Sequence, residues 1–142
     1  MPTFTDLKIS TPLRNAITDL GFKAPTPVQE QSFPVILSGK DMVGIAQTGT
    51  GKTLAYMLPL LQMLPFSKEK HPRVLVMVPT RELVVQVVDQ INKFSKYSSI
   101  RVVGVYGGTN MNRQKEAIAQ GVDIIVATPG RLYDLALCNA IR

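Results

Sequence analysis

Short β-branched runs alternate with segments of helical periodicity along this chain, and that order constrains its fold more than any other feature of the sequence. Each run is followed by a loop containing glycine, threonine or proline, and then by a segment whose apolar residues recur at helical spacing. The predicted strands are Met42–Ala46, Arg73–Val78, Ile100–Tyr106 and Asp123–Ala127. Strands that alternate with helices form a parallel sheet covered by helices, so the sequence predicts an α/β fold.

Two short helices are predicted ahead of the first strand. Thr11 and Thr26 are each followed by a proline, an arrangement typical of a helix N-terminus. Pro34 lies inside the second helical pattern and should kink or shorten that helix. The segment Ser67–Pro72 is predicted to be an exposed loop.

Composition narrows the class of protein. With 142 residues, of which 45% are hydrophobic, the chain can build a real core as one domain or part of one. The net charge of +6 suits an anionic partner, although many domains without such a partner carry a similar excess. The lone Cys138 fits a reducing compartment, and the sequence has neither a signal peptide nor an apolar run approaching about 18 residues. The sequence therefore predicts a soluble cytoplasmic protein.

The loops that follow the strands are the expected binding region. Consecutive parallel strands would place all four loops on the carboxyl edge of the sheet, where open α/β sheets bind ligands. Each loop also presents the N–H groups of a helix N-terminus, which attract anions. The fold thus predicts an anion-binding edge before any motif is considered.

The first of these loops has the form of a phosphate-binding loop. It reads Ala46, Gln47, Thr48, Gly49, Thr50, Gly51, Lys52 and Thr53. The glycines let successive N–H groups turn toward phosphate oxygens, Lys52 supplies charge to the terminal phosphates, and the Thr53 hydroxyl can bind Mg²⁺. Alanine stands at the first position, where the common pattern has glycine.

An upstream glutamine can recognise a base. The Gln29 carboxamide can accept and donate at once, which matches the N6 and N7 edge of adenine but not the two acceptors of guanine. An aromatic ring such as Phe22 can stack on that base. The same residues also allow a structural interpretation, because Thr26 and Gln29 form a Thr-x-x-Gln capping box and Phe22 can be a core residue.

The remaining loops pair hydroxyl groups or glycine with a helix start. They contain Thr80-Arg81, Gly108-Thr109 and Thr128-Pro129-Gly130-Arg131. Each can be an ordinary helix cap, and each can also hold a phosphate with N–H, hydroxyl and guanidinium groups.

Taken in order, these motifs resemble those of the DEAD-box RNA helicases over nearly the whole chain. The matching segments are Phe4, Gly21, Phe22, Pro25, Thr26 and Gln29 for the Q motif; Ala46 to Thr53 for the first motif, which opens with alanine in this family; Pro79-Thr80-Arg81-Glu82-Leu83; Gly107-Gly108; and Thr128-Pro129-Gly130-Arg131.

The resemblance implies a RecA-like P-loop NTPase fold that ends before the strand carrying the Walker B acid. It implies ATP and Mg²⁺ as cofactors, with Lys52 and Thr53 as catalytic residues and Thr53 as the metal ligand. Adenine would be held by Gln29 and Thr26, with Phe22 and Phe4 packing at the base. The implied RNA-backbone contacts are Pro79, Thr80, Arg81, Gly107, Gly108, Thr128, Pro129, Gly130 and Arg131.

The resemblance also divides the chain into a Q-motif region, residues 1–38, and part of the ATP-binding domain, residues 39–142. RNA would be gripped by its backbone, so binding should tolerate sequence changes and weaken with salt.

The machinery for hydrolysis is expected to be incomplete. A phosphate-loop ATPase needs an acid at the carboxyl end of a strand to hold Mg²⁺, whereas Asp123 is at the start of its strand. By the resemblance, the missing C-terminal half of the helicase core is needed for activity, so the 142-residue chain should not hydrolyse ATP or unwind RNA. Met42–Ala46 should also lack its sheet neighbours and expose unpaired backbone.

Two alternatives to a helicase that unwinds short RNA duplexes stay open. One is a non-catalytic module that binds nucleotide or RNA without turnover. The other is a phosphate-loop ATPase that acts on DNA. Competition between RNA and DNA of equal length distinguishes the second alternative from a helicase that acts on RNA.

Overall fold

The computed structural model describes residues 3–47 and 51–141. Contacts between Cα atoms divide the chain into two compact units. The first unit comprises Met1–Pro65 with Lys93–Ser98, and the second comprises Phe66–Asn92 with Ser99–Arg142. Among the described residues, no helix is both long and apolar enough to cross a bilayer.

The first unit is helical in its described part. A 3₁₀ turn, Phe4–Asp6, is followed by α1 (Thr11–Asp19), α2 (Pro27–Leu37) and α3 (Lys52–Met63). Prolines at the starts of α1 and α2 suit the first turn, where no intrahelical acceptor is available for an N–H. Lys93 and Phe94, the last two residues of the helix Arg81–Phe94, also belong to this unit.

Helix α2 packs against α3, and α1 also contacts α3. The buried side chains Ile17, Met57 and Leu58 are each at most 1% exposed. The Ser32 hydroxyl lies in the α2–α3 contact and donates to the Ala55 carbonyl at 3.1 Å. Apolar burial therefore joins these helices, and the polar group within the contact is hydrogen-bonded.

The second unit holds a three-stranded parallel sheet and its helices. The elements in chain order are β1 (Val74–Met77), α4 (Arg81–Phe94), β2 (Val102–Val105), α5 (Met111–Ala119), β3 (Ile124–Ala127) and α6 (Pro129–Leu137). The strand order is β1-β3-β2. Ile124 is in register with Val74 on one side and with Val102 on the other.

Strand β3 is the centre of this sheet, and all four of its residues are buried. It is a continuous run of Ile-Ile-Val-Ala, which suits a parallel strand covered on both faces. A buried cluster surrounds it, formed by Val105, Ile118, Val122, Ile125, Ala127 and Leu135. The edge strand β1 leaves Leu75 and Met77 about half exposed.

Asp123, Arg73 and Arg101 form an ion triad at the amino end of the sheet. The Asp123 side chain, 4% exposed, accepts hydrogen bonds from Arg73 Nη2 at 2.9 Å and Arg101 Nη2 at 3.0 Å. Burial raises the pKa of Asp123, but hydrogen bonds from the side chain and backbone of Arg101 and from the side chain of Arg73 outweigh it and lower that pKa overall. This acid lies opposite the binding edge, as the sequence indicated.

The structure corrects two sequence-based expectations. Met42–Ala46 is not a strand, and Val43 and Ile45 are 89% and 95% exposed. No strand in the described ranges pairs with it, and a strand needs a neighbour for its backbone groups. Ser10, not Thr11, occupies the N-cap of α1. The expectation that Pro34 kinks or shortens α2 stays a prediction; the helix has 11 residues and ends at Leu37, three residues after Pro34.

Fewer strand-to-helix loops therefore leave the carboxyl edge of the sheet than the sequence predicted. The sheet contains three strands, so three loops leave its carboxyl edge. The phosphate-loop residues belong to the other unit. The other three predicted strands, the helices and the exposed loop near Ser67–Pro72 are confirmed.

Replacing Gly104 with alanine should destabilise the second unit. A Cβ on Gly104 would lie 2.9 Å from Val84 Cγ1 and 3.1 Å from Val88 Cγ2, so β2 and α4 would have to separate. We expect Gly104→Ala to lower the free energy of unfolding by about 1–3 kcal/mol, measured by urea denaturation. Gly107→Ala is the control, since its Cβ would meet nothing within 4 Å. Equal unfolding midpoints for the two variants would contradict this packing.

The Asp123 triad should make folding sensitive to acid. Because the pKa of Asp123 is lowered in the folded chain, its stabilisation is complete above the unfolded pKa of about 4 and is lost as pH falls through the folded pKa. Asp123→Asn should therefore unfold more easily at pH 7 by on the order of 2 kcal/mol and lose less stability on acidification, as followed by urea denaturation across pH. Asp134→Asn, at an exposed position, should keep the slope of the unmodified chain. Parallel pH profiles for Asp123→Asn and the unmodified chain would contradict the assignment.

Candidate nucleotide and nucleic-acid sites

In the first unit, Gln29 forms the predicted capping box at the start of α2. The Thr26 backbone N–H donates to Gln29 Oε1 at 2.9 Å, and the Gln29 backbone N–H donates to Thr26 Oγ1 at 3.4 Å. Two N–H groups of the helix start are thereby satisfied. The structural interpretation of this motif is confirmed.

The same carboxamide also reaches the end of the phosphate loop. Gln29 Nε2 donates to the Gly51 carbonyl at 3.1 Å. Gly51 is the N-cap of α3 and has a φ of 77°, in the left-handed region. A Cβ there would lie 2.2 Å from Gln29 Nε2, so the contact requires glycine both for its conformation and for its size. Gln29 therefore joins the α2 start to the loop.

Gln29 keeps one donor and one acceptor for a further partner. Its Oε1 has two lone pairs and its Nε2 two hydrogens, and the contacts above use one of each. The side chain is 6% exposed, so a partner would have to approach closely. Capping and base recognition are thus compatible in one carboxamide.

The two predicted aromatic residues have different surroundings. Phe22 is 46% exposed and presents ring surface that a base could cover. Phe4 is 4% exposed and is packed within the protein. The burial of Phe4 favours a role in the core, whereas the exposure of Phe22 leaves its ring accessible for stacking on a base.

Lys52 and Thr53 form the first turn of α3. Lys52 is exposed, and Tyr56 follows about one helical turn later. Burial raises the pKa of Tyr56, and the smaller effect of Thr53 opposes it.

The rest of the predicted phosphate loop is only partly described. Thr48, Gly49 and Thr50 lie outside the described residues. Ala46 is half-buried and Gln47 exposed. Ala46 belongs to the segment Met42–Ala46, which borders a groove of about 450 Å³ together with α2.

The described residues fit a nucleotide better than they fit a complete metal site. Gly51 in its left-handed conformation, the exposed charge of Lys52 and the spare groups of Gln29 suit a phosphate tail and a base. For Mg²⁺, Thr53 offers one hydroxyl. Within residues 3–47 and 51–141, no three His, Cys, Asp or Glu side chains cluster as metal ligands would.

In the second unit, the three predicted loops leave neighbouring strands at one edge of the sheet. The Val78 N–H donates to the Ala127 carbonyl at 3.0 Å, and the Thr128 N–H donates to the Val105 carbonyl at 3.1 Å. These bonds extend the ladder into the loops and fix their starting points. The structure therefore brings the three predicted loops together.

Arg81 lies over the loop from Tyr106 to Thr109, which contains Gly107 and Gly108 and is called the glycine loop below. Its guanidinium carbon is 5.2 Å from the centre of the Tyr106 ring, and its Nη1 would be 3.6 Å from a Cβ on Gly108. Thr80 Oγ1 accepts from the Leu83 N–H at 3.2 Å and so caps α4. An exposed cation is thus placed beside the exposed glycine backbone.

Arg131 is directed toward the glycine loop. Its Nη1 and Nη2 both donate to the Thr109 carbonyl at 3.3 Å, and Nη1 also donates to Gln114 Oε1 at 3.1 Å. Gln114 Nε2 in turn donates to the Tyr106 carbonyl at 3.0 Å and to Thr109 Oγ1 at 2.8 Å. A buried carboxamide therefore links this loop to the start of α6.

Sequence reasoning missed Gln114. The available signal was its position between Met111 and Ile118 at helical spacing, which places a polar residue on the apolar face of α5. Its partners Tyr106, Thr109 and Arg131 lie 8, 5 and 17 positions away, beyond the spacing of three or four residues that a helical pattern compares, so the pattern of α5 could not have identified them.

The other predicted residues of this surface are accessible. Pro79, Gly107, Gly108, Pro129 and Gly130 are exposed. Thr128 is the N-cap of α6, yet its side chain makes no capping hydrogen bond there. The surface therefore presents bare backbone and a hydroxyl group beside Arg81.

Comparisons with known proteins show which family this chain is similar to. The family model for DEAD/DEAH box helicases matches residues 26–141. The chain is 47% identical over 133 residues to the ATP-dependent RNA helicase DeaD of Haemophilus influenzae, covering 93% of this chain and 22% of that protein. It is 48% identical over 131 residues to the probable ATP-dependent RNA helicase DDX43 of Homo sapiens, covering 89% and 20%.

A solved structure agrees with these sequence matches. The crystal structure of a DEAD box protein from the hyperthermophile Methanococcus jannaschii superposes with a TM-score of 0.92 at 30% identity, over 100% of this chain and 39% of that one. The chain spans about a fifth of the length of the curated relatives it matches. The expected RecA-like α/β fold is confirmed. Because the family model matches well over half of its residues, this chain belongs to the DEAD/DEAH box helicase family.

Proposed function

We propose that this chain binds ATP through its first unit and the RNA backbone through its second, as part of an ATP-dependent RNA helicase. The observation that carries the proposal is the Gln29 carboxamide, which joins the α2 start to Gly51 and retains one donor and one acceptor. The sequence motif around Gln29 and the contact of Gln29 with Gly51 both support the binding of a base next to the phosphate loop.

For the nucleotide, each residue has a defined task. Gln29 presents its spare N–H and lone pair to the N7 and N6 edge of adenine, and Phe22 covers a face of the base. Lys52 neutralises the terminal phosphates at the start of α3, where the helix dipole adds to its charge. Mg²⁺, when bound, would neutralise phosphate charge beside Thr53.

For the RNA, the second unit supplies mostly backbone. Exposed N–H groups of Gly108 and Gly130 and the Thr128 hydroxyl can bond phosphate oxygens, while Arg81 adds charge. None of these groups reads a base edge. Binding should therefore tolerate sequence changes and weaken as salt rises.

We also propose that the 142-residue chain does not turn over ATP by itself. Asp123 lies at the amino end of β3, and its carboxylate is already bonded by the guanidinium groups of Arg73 and Arg101, which disfavours a role as Mg²⁺ ligand. This favours nucleotide and RNA binding without hydrolysis for the chain alone. RNA-stimulated phosphate release that Lys52→Ala removes would contradict it.

Calorimetric titration with ADP and GDP, with Mg²⁺ present, tests the nucleotide site. We expect ADP to bind more tightly than GDP by a factor of about ten or more, since guanine leaves the spare groups of Gln29 unpaired. Gln29→Ala should abolish the preference. The control is Gln31→Ala, which truncates an exposed glutamine on the same helix. Equal affinity for ADP and GDP in the unmodified chain would contradict base recognition.

Paired glycine substitutions test the junction between Gln29 and the loop. Gly51 and Gly39 have φ values of 77° and 81°, so alanine at either costs about 1–2 kcal/mol of backbone strain. Only the Gly51 substitution meets Gln29, since a Cβ on Gly39 has nothing within 4 Å. We expect Gly51→Ala to weaken ADP binding about tenfold or more and Gly39→Ala to leave it unchanged. An unchanged ADP affinity in Gly51→Ala would contradict the junction.

A further inference from the structure

Gln114 is a buried polar side chain that the nucleotide and RNA assignments do not use. It is 9% exposed and lies on α5, where the nearest predicted RNA residues belong to other segments. Its carboxamide makes three hydrogen bonds: two to the glycine loop and one to Arg131. A buried carboxamide is costly unless its groups are paired, so this arrangement is strongly specified.

Arg131 completes the same network. Its Nη1 and Nη2 both bond the Thr109 carbonyl, and Nη1 bonds Gln114 Oε1 as well. The guanidinium is therefore engaged with the glycine loop, and its paired N–H groups are directed at protein carbonyl oxygens. Lysine could supply the charge but not this planar, multiple contact.

The two connected segments are the ones that present backbone to solvent. Tyr106 and Thr109, bonded by Gln114, lie on either side of the exposed Gly107 and Gly108. Arg131 directly follows the exposed Gly130 at the start of α6. The network thus determines how far apart, and in which direction, these two sets of N–H groups lie.

We propose that Gln114 and Arg131 are a positioning pair, which holds the glycine loop and the α6 start in the relative position at which both can bond the backbone of one nucleic-acid strand. The inference rests on the proposed RNA binding of the second unit. Gln114 does not touch the RNA, and Arg131 acts chiefly through the loop. Affinity then depends on the geometry of the guanidinium more than on its charge.

A double-mutant cycle measured by RNA binding tests the pair. The probe is a fluorescein-labelled single-stranded oligouridylate, with fluorescence anisotropy recorded on the 142-residue chain at several salt concentrations. Gln114→Met removes all three hydrogen bonds at nearly constant volume, and Arg131→Lys keeps the charge but loses the planar contact. Gln120→Met, at an exposed position on the same segment, is the control.

We expect each of the two substitutions to weaken RNA binding about three- to tenfold, the effect of misplacing one or two hydrogen bonds. The double variant should bind RNA no more weakly than the weaker-binding single variant, because both substitutions disrupt the same hydrogen-bond network. The slope of log affinity against log salt should stay the same, since no phosphate-neutralising cation is lost. Gln120→Met should bind as the unmodified chain does.

Three results would overturn the inference. Losses that add in the double variant would show that the residues act independently. Unchanged affinity in Arg131→Lys would show that charge suffices, and this arm decides the matter even where Gln114→Met fails to fold. A lower melting temperature of Gln114→Met with unchanged affinity would assign it a structural role alone.

The proposed function fails separately. Absence of salt-dependent RNA binding by the unmodified chain would overturn both the RNA site and the pair. Binding by the unmodified chain, together with equal binding by all variants, would overturn the pair alone. The cycle therefore distinguishes the two failures.

Discussion

Each unit depends on one buried glutamine whose carboxamide holds a loop against the start of a helix. Gln29 bonds the Gly51 carbonyl in the first unit, and Gln114 bonds the Tyr106 carbonyl in the second. A carboxamide suits this task because it donates and accepts at once, and burial makes an unpaired arrangement expensive. Gly51 and the loop from Tyr106 to Thr109 are thereby held in place without a ligand, and such preorganisation would lower the entropy cost of the proposed binding.

Much of the fold could be predicted from the local pattern. The β3 sequence Ile-Ile-Val-Ala reads as a central parallel strand, and its four residues are buried. Met42–Ala46 reads in the same way but forms no strand, and Val43 and Ile45 are exposed. Its apolar residues favour a β-strand, but a strand forms only beside another strand. A local sequence pattern does not show whether that neighbouring strand is present.

The sites divide in a similar manner. The capping box of Thr26 and Gln29 could be read from spacing, as could the glycine at position 51. The contact between Gln29 and Gly51 could not, because it joins residues 22 positions apart. For the same reason the bond from the Arg131 guanidinium to the Thr109 carbonyl could not be predicted, whereas the predicted RNA contact of Arg131 stays a prediction.

The central claim is that each unit prepares its own ligand surface, with nucleotide in the first and RNA in the second. Amide hydrogen–deuterium exchange, with ADP and Mg²⁺ in one sample and an oligouridylate in another, tests it most directly. The account predicts that ADP slows exchange around Thr26–Gln29 and Gly51–Ala55, and that RNA slows exchange at Gly107–Thr109 and Thr128–Arg131. Protection of the same segments by both ligands, or of neither set by either ligand, would contradict it.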